Sequence, residues 1–237
     1  MIAAITGGAG ALGSALAEVL VARGYRVVLL DTERGKARAE ELAKKLGGPE
    51  KALVHAGDFA VAATWDDALA ATKRAFGGAP THGALIAGGW DGGAPLHAAK
   101  DDGAYERMMK TNVDTAYRAL RALLPAMVEA KKGSIVVVGS RAVDRPWTSG
   151  GAAAYAASKA AVVTMAQAVA AEVLQSGVRI NAILPSTMDT PANRSSMPDA
   201  DPSRWVSLPS AAGVIAFLLS DEARDVSGAA LPVYGRV

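Results

Sequence analysis

At 237 residues, with 51% hydrophobic and 20% charged side chains, the chain can bury a large core and reads as one domain over 1–237. Lys and Arg exceed Asp and Glu by 25 − 23 = 2, and no basic run is longer than the dipeptides Lys44-Lys45 and Lys131-Lys132, which argues against a nucleic-acid partner. The absence of cysteine excludes disulfides and thiolate metal sites, and His55, His82 and His97 show no metal-ligand spacing.

Met1 to Thr6 run directly into glycines without a leader pattern. The apolar run Ala161 to Ala171 is broken by Thr164 and Gln167 and falls short of a membrane span. A cytoplasmic protein without membrane contact is therefore expected.

Along the chain, β-branched runs alternate with Ala-rich helical patterns. The strand candidates are Ile2–Thr6, Arg26–Asp31, Ala52–His55, Gly83–Ala87, Ser134–Val138, Arg179–Leu184 and Ala229–Val233. Helical patterns cover 12–23, 35–46, 62–76, 102–130, 152–175 and 209–219. Such alternation predicts an α/β doubly wound Rossmann fold, with a seven-stranded, mostly parallel sheet and helices on both faces. In sheets of this kind ligands lie beyond the carboxyl ends of the strands. The irregular segment 185–209, rich in Pro, Ser, Asn and Asp, fits a substrate loop better than a linker.

The stretch 5-ITGGAGALGS-14 joins the first strand to a helix whose one side carries Leu12, Leu16, Val19 and Leu20. Gly7, Gly10 and Gly13 allow positive φ, close backbone approach to a pyrophosphate and tight helix–strand packing, although a plain βα turn uses the same residues. Asp31, ending 26-RVVLLD-31 about 20 residues on, stands where an acid accepts both adenosine ribose hydroxyls. A helix N-cap is the alternative for Asp31. An acid here repels a 2′-phosphate and Ala9 offers no compensating cation, so NAD(H) is expected over NADP(H).

In 155-YAASK-159, Tyr155 and Lys159 share a helix face. An adjacent ammonium favours phenolate, bringing a group that titrates near ~10 within reach of general acid–base work. A surface Tyr–Lys pair gives the same spacing. Ser140 ends the strand 134-SIVVVGS-140, and Asn112 in 110-KTNVDTAY-117 stands mid-helix, where Asn is a mediocre former or merely solvated. Trp90, in the loop after the fourth strand, suits a stacked planar ring or simply covers apolar surface. Met188 in the 185–209 loop can adapt to a ligand, and Trp205 and Met197 in the same loop equally suit packing on the body.

Taken together these residues resemble the short-chain dehydrogenase/reductase family over essentially the whole chain. The resemblance implies a catalytic tetrad of Tyr155, Lys159, Ser140 and Asn112. Tyr155 is then the proton donor to a carbonyl oxygen, Lys159 holds the nicotinamide ribose and tunes the Tyr, Ser140 orients the substrate oxygen, and Asn112 supports a proton-relay water. It also implies a cofactor site built from the turn Gly7, Gly10, Ala11, Leu12 and Gly13, from Asp31, and from Asp58 and Phe59 by the adenine. Ala87, Gly88 and Gly89, Lys159, and Pro185, Thr187 and Thr190 by the nicotinamide complete it. Trp90, Ser140, Tyr155 and Met188 are the substrate candidates.

The chain departs from the family pattern in places. Ala11 replaces a turn glycine, 85-LIAG-88 replaces Asn-Asn-Ala-Gly, Pro185-Ser186 replaces Pro-Gly, and Ser140 precedes Tyr155 by 15 residues. The stretches 7-GGAGALGS-14, 87-AGGWDGG-93 and 184-LPSTMDTPANRSSMPDADPSRW-205 resemble quinonoid dihydropteridine reductases, an NADH-using branch. Reduction of quinonoid dihydropterin is thus one expectation. The alternative is a carbonyl (3-oxoacyl or ketone) reductase or alcohol dehydrogenase, which Ser140 and Asn112 favour, and a non-catalytic NAD-binding module is the remote one. The resemblance also implies a small-molecule substrate and a homodimer or homotetramer paired through 102–130 and 152–175.

Overall fold

A computed structural model describes residues 1–236. The strands are β1 (Ile2–Thr6), β2 (Arg26–Asp31), β3 (Ala52–Ala56), β4 (His82–Leu85), β5 (Gly133–Val138), β6 (Val178–Pro185) and β7 (Ala230–Val233). They form one seven-stranded sheet in the order β3-β2-β1-β4-β5-β6-β7, and every neighbouring pair is parallel. The chain starts mid-sheet, winds outward to β3, crosses back to lay β4 beside β1, and winds outward to β7. The reversal between β1 and β4 is the switch point, at whose carboxyl edge sheets of this kind bind their ligands.

Helices α1 (Ala11–Ala22), α2 (Lys36–Lys45) and α9 (Leu208–Leu219) cover one face. Helices α3 (Ala62–Phe76), α5 (Thr115–Glu129) and α7 (Ala153–Val173) cover the other. The strand pleat divides the apolar residues between them. Ala3, Ile5, Val136 and Val138 join the first core, whereas Ile2, Ala4, Ile135 and Val137 join the second. Both faces are covered, which is why β1 and β2 read as unbroken hydrophobic runs.

α7 with its following turn, Ala153–Ser176, has the length and hydropathy to cross a membrane. Yet Val162, Val163, Ala166, Ala170 and Val173 are buried in the sheet-facing core, so this apolarity serves packing.

Two elements differ from expectation. The helix expected over 102–130 is three pieces: α4 (Gly103–Met108), a π-helical turn Met109–Asp114, and α5. The 185–209 segment is more regular than its composition suggests, with the short helix α8 (Pro191–Ser196) and a 3₁₀ turn at Pro202–Arg204. A bridge of Met188 to Val206 closes that segment on itself. Its Trp205 is buried, so it packs against the body. His82 opens β4, edge-on to Tyr25 with centroids 5.0 Å apart. Burial holds its imidazole at a pKa of about 4, so it is neutral at physiological pH.

Candidate active site

The turn after β1 is held by its own backbone. Gly10 N–H donates to the Gly7 carbonyl (3.0 Å), Gly8 N–H donates to Leu30 (3.2 Å), and Gly7 takes φ +67°. A Cβ on Gly13 would strike the Gly7 carbonyl oxygen, so this glycine lets the first turn of α1 sit on the loop. Ala11 is exposed at the start of α1, whereas the Leu12 side chain is buried in the core, leaving only its main chain to the switch point.

Asp31, at the end of β2, is fixed beside this turn. Its Oδ2 accepts the Ala9 N–H (2.8 Å) and its Oδ1 accepts the Thr32 N–H (2.8 Å). It caps no helix side-on, since the following 3₁₀ turn has Thr32 at its N-cap position. Beyond β3, Asp58 accepts the Ala60 N–H and pairs with Lys110 at 3.4 Å on the surface. The neighbouring Phe59 ring is buried edge-on against Trp65, and the Phe59 carbonyl accepts the Trp65 indole N–H (3.0 Å). The Phe59 side chain is therefore core, which leaves its main chain for the adenine contact expected of it.

At the switch point the Thr6 hydroxyl accepts both Ile86 and Ala87 N–H groups (3.0 Å each). This anchors the chain that runs through Ala87, Gly88 and Gly89. Asn112 meets it from the π turn: its Oδ1 accepts the Gly89 N–H (2.8 Å), while its Nδ2 donates to the Gly89 carbonyl (3.2 Å) and to Ser158 Oγ (2.9 Å). The Asn112 side chain is thus a brace between the β4 loop and α7. The π turn supplies the offset that aims it there, and only its main chain could address a water. Ser158, fully buried, hands the contact on to the Tyr155 carbonyl (2.8 Å). Nothing in the sequence reading singled out Ser158, although it lies inside the YAASK motif.

α7 places Tyr155 and Lys159 one turn apart. Burial raises the half-buried Tyr155 phenol above its ordinary pKa, and the nearby Ser140 hydroxyl pulls it partly back. Burial lowers the Lys159 ammonium to about 8. Its Nζ donates to the Val138 carbonyl (2.9 Å), and a Cβ on Gly88 would stand 3.0 Å from it and 2.7 Å from Asn112 Oδ1. The expected depression of Tyr155 by its lysine neighbour is therefore not what this chain shows. Desolvation dominates both groups and favours their neutral forms. Ser140 is buried, lies two residues beyond the end of β5 and caps the one-turn helix α6 (Arg141–Asp144) by accepting the Ala142 N–H (3.2 Å). The spacing of 15 residues to Tyr155 is taken up by α6, a 3₁₀ turn at Pro146–Thr148 and the glycines before α7.

Two loops clasp one another beside this cluster, Gly93 N–H donating to the Gly151 carbonyl (2.9 Å). Each carries a solvent-facing indole: Trp90, 64% exposed, and Trp147, 77% exposed. A Cβ on Gly92 would stand 3.1 Å from the Trp90 ring and 2.9 Å from Ala152, which puts that ring close to the start of α7. Trp147 was missed in the sequence because nothing local distinguishes it from surface. On the far side, Pro185 is buried at the end of β6, and the Thr187 carbonyl accepts the Val206 N–H. The Thr190 hydroxyl caps α8 by accepting Asn193 N–H (3.1 Å). Met188 is half-buried and packs on the core, so its side chain is partly committed to the body. Among the described residues no group of three or more His, Asp or Glu side chains comes together to hold a metal.

The residues present fit a dinucleotide: a glycine turn closed on itself at a helix N-terminus, a fixed acid at the end of β2, and a lysine buried at the end of β5. Comparison with known proteins agrees. Residues 1–201 match the family model described as short chain dehydrogenase. The chain is 31% identical over 246 residues to 2,5-dichloro-2,5-cyclohexadiene-1,4-diol dehydrogenase LinX of Sphingobium indicum, covering 99% of this chain and 94% of that one. It is 28% identical to the 3-oxoacyl-[acyl-carrier-protein] reductase of Escherichia coli, covering 99% and 96%. Among solved structures, the 3-ketoacyl-(acyl-carrier-protein) reductase from Brucella melitensis complexed with NADH superimposes with a TM-score of 0.87 at 29% identity, covering 99% of this chain and 97% of that one. Levodione reductase gives 0.86 at 29%, covering 99% and 96%. By its fold and by these matches over nearly its whole length, the chain belongs to the short-chain dehydrogenase/reductase family and is an oxidoreductase that works with a nicotinamide dinucleotide.

Proposed function

We propose that the chain interconverts a small secondary alcohol and its carbonyl compound, with NAD(H) preferred over NADP(H). One observation carries this reading: the Ser140 hydroxyl lies near enough to the Tyr155 phenol, just beyond the carboxyl end of β5, to favour its ionised form. Two neighbouring hydroxyls there can together grip one carbonyl oxygen. The bound nicotinamide supplies or accepts the hydride.

In reduction Tyr155 gives its proton to the oxygen as the carbon–oxygen double bond becomes single, and Ser140 orients that oxygen. In oxidation the same phenol must take the proton back. Lys159 holds the ribose side, Asn112 braces the β4 loop, and Gly88 leaves the room both need. The turn at Gly7, Gly10, Ala11, Leu12 and Gly13 faces the pyrophosphate, Asp31 the ribose of the adenosine, and Asp58 the adenine. Pro185, Thr187 and Thr190 frame the nicotinamide with main-chain groups, since the Thr190 hydroxyl is already engaged.

The second reading, reduction of quinonoid dihydropterin, rests on the exposed Trp90 indole, a surface on which a flat heterocycle can stack. The relatives named above act on cyclic or acyl carbonyl and alcohol substrates, which supports the first reading. The test follows NADH oxidation with cyclohexanone-type ketones, an acetoacetyl thioester and freshly generated quinonoid dihydropterin. Turnover of ketone or thioester is the expected result. Turnover confined to the pterin overturns it, and NADH binding without turnover on any acceptor makes the chain a binding module.

The cofactor preference has its own test. Asp31→Asn removes a carboxylate that a 2′-phosphate must otherwise approach, while the exposed Arg34 and Lys36 lie just beyond it. Like charges a few ångströms apart at a protein surface cost several kcal/mol. The ratio of kcat/KM for NADPH over NADH is expected to rise by about 10–100-fold. An unchanged ratio refutes the assignment of Asp31.

The reading includes pairing of copies through α5 and α7. Ala156 and Ala160 on α7 are half-buried and Ala168 is exposed, small residues that would permit close approach of a second copy. Light scattering is expected to show two or four copies; a monomer at micromolar concentration contradicts it.

A further inference from the structure

The C-terminal stretch after β7 holds a tyrosine that joins both sides of the site. Its phenol donates to Asp144 Oδ2 (2.8 Å), and the Arg145 guanidinium lies over its ring at 5.2 Å from the centroid. Its own carbonyl accepts the Ser186 hydroxyl (2.7 Å), next to Pro185 at the end of β6. Asp144 is the last residue of the one-turn helix that Ser140 caps.

A single turn has little stability of its own and needs an anchor at each end. Ser140 is the anchor at one end, through its bond to Ala142 N–H. Tyr234 is the anchor at the other. The phenol is pushed up in pKa, first by burial and then by Asp144, so it keeps its proton and remains a donor.

We propose that Tyr234 is a positioning residue for the reaction: by clamping Asp144 it fixes the turn that Ser140 caps, and so holds the Ser140 hydroxyl in place just beyond the end of β5. The proposal rests on the reading of Ser140 and Tyr155 given above. The Ser186 contact of Tyr234 uses the main chain, which substitution leaves in place. Loss of the phenol hydroxyl lets α6 fray, and Ser140 then spends part of its time away from the substrate oxygen.

The experiment measures kcat, KM for NADH and thermal midpoint for Tyr234→Phe, alone and in a Ser140→Ala background, beside Asp144→Ala and Asp144→Asn. Tyr234→Phe is expected to lower kcat by about five- to tenfold, the worth of one such hydrogen bond, with KM for NADH and the midpoint nearly unchanged. Asp144→Ala is expected to reproduce the loss, and Asp144→Asn, which keeps an acceptor oxygen, to restore activity to within about twofold of the parent on the same reasoning. In the Ser140→Ala background Tyr234→Phe should cost nothing further, because the group it positions is gone. A parent-like kcat for Tyr234→Phe, or an equal loss with and without Ser140, overturns the proposal alone. A Ser140→Ala enzyme as fast as its parent removes the underlying reading and the proposal with it.

Discussion

Tyr155→Phe is expected to lower turnover by about 10²–10⁴-fold while leaving NADH affinity within about twofold. The substitution keeps the ring, and with it the packing at the start of α7, but removes the proton that the carbonyl oxygen requires. The environment of Tyr155 supports this choice of donor. Burial raises its pKa, so the phenol is protonated at neutral pH and ready to give a proton. The same shift predicts a direction asymmetry: alcohol oxidation, which needs the phenolate, should quicken as pH rises through the alkaline range, whereas ketone reduction should not. Activity of the Phe variant within tenfold of the parent would assign proton transfer to another group.

Lys159→Met should do two things at once, losing turnover by at least about a hundredfold and gaining stability at neutral pH. The ammonium is almost fully buried and its pKa falls from an ordinary 10.5 to about 8. At roughly 1.36 kcal/mol per pH unit, that shift costs the folded state about 3 kcal/mol wherever both states carry the proton. The sign follows from proton counts. Between pH 8 and 10.5 the unfolded chain holds the proton more often than the folded one, so stability of the parent rises with pH across that window. Below pH 8 the full cost is present.

Methionine removes that cost but strips the Val138 carbonyl of its donor, worth about 1–2 kcal/mol. The net gain at pH 7 is about 1–2 kcal/mol, roughly 2–8 °C in midpoint for a chain of this size. The gain should shrink and reverse as the pH approaches 10.5. Cofactor-free thermal melts at pH 7 and pH 10 check it, and a variant less stable than its parent at pH 7 contradicts the account.

The parts of this molecule legible in its sequence are those written by neighbours. The glycine turn, Asp31 and the Tyr155–Lys159 face each depend on residues a few positions apart, and each lies where the pattern put it, at the carboxyl edge of the sheet. The inner strands β1, β2 and β5 were visible because a sheet covered on both faces leaves continuous apolar runs. What was not legible depends on contacts across the chain. The π turn at Met109–Asp114 keeps a helix-like hydrophobic pattern, so nothing local betrays the extra residue per turn that sends Asn112 to Gly89.

Leu12 and Phe59 occupy motif positions, yet their side chains serve the core, because a motif records main-chain geometry as well as side chains. The Lys159 ammonium bonds to a carbonyl 21 residues away, and Tyr234 bonds to an acid 90 residues away. Neither partner can be found by spacing.

Asp31 carries a further meaning. Both of its oxygens are held by main-chain N–H groups. Immobilising a side chain on binding costs about 0.5–1.5 kcal/mol, and here that cost is met during folding instead. On the function proposed above, the ribose would meet a preorganised acceptor, and a 2′-phosphate would meet a charge at a fixed distance that cannot swing aside to admit it.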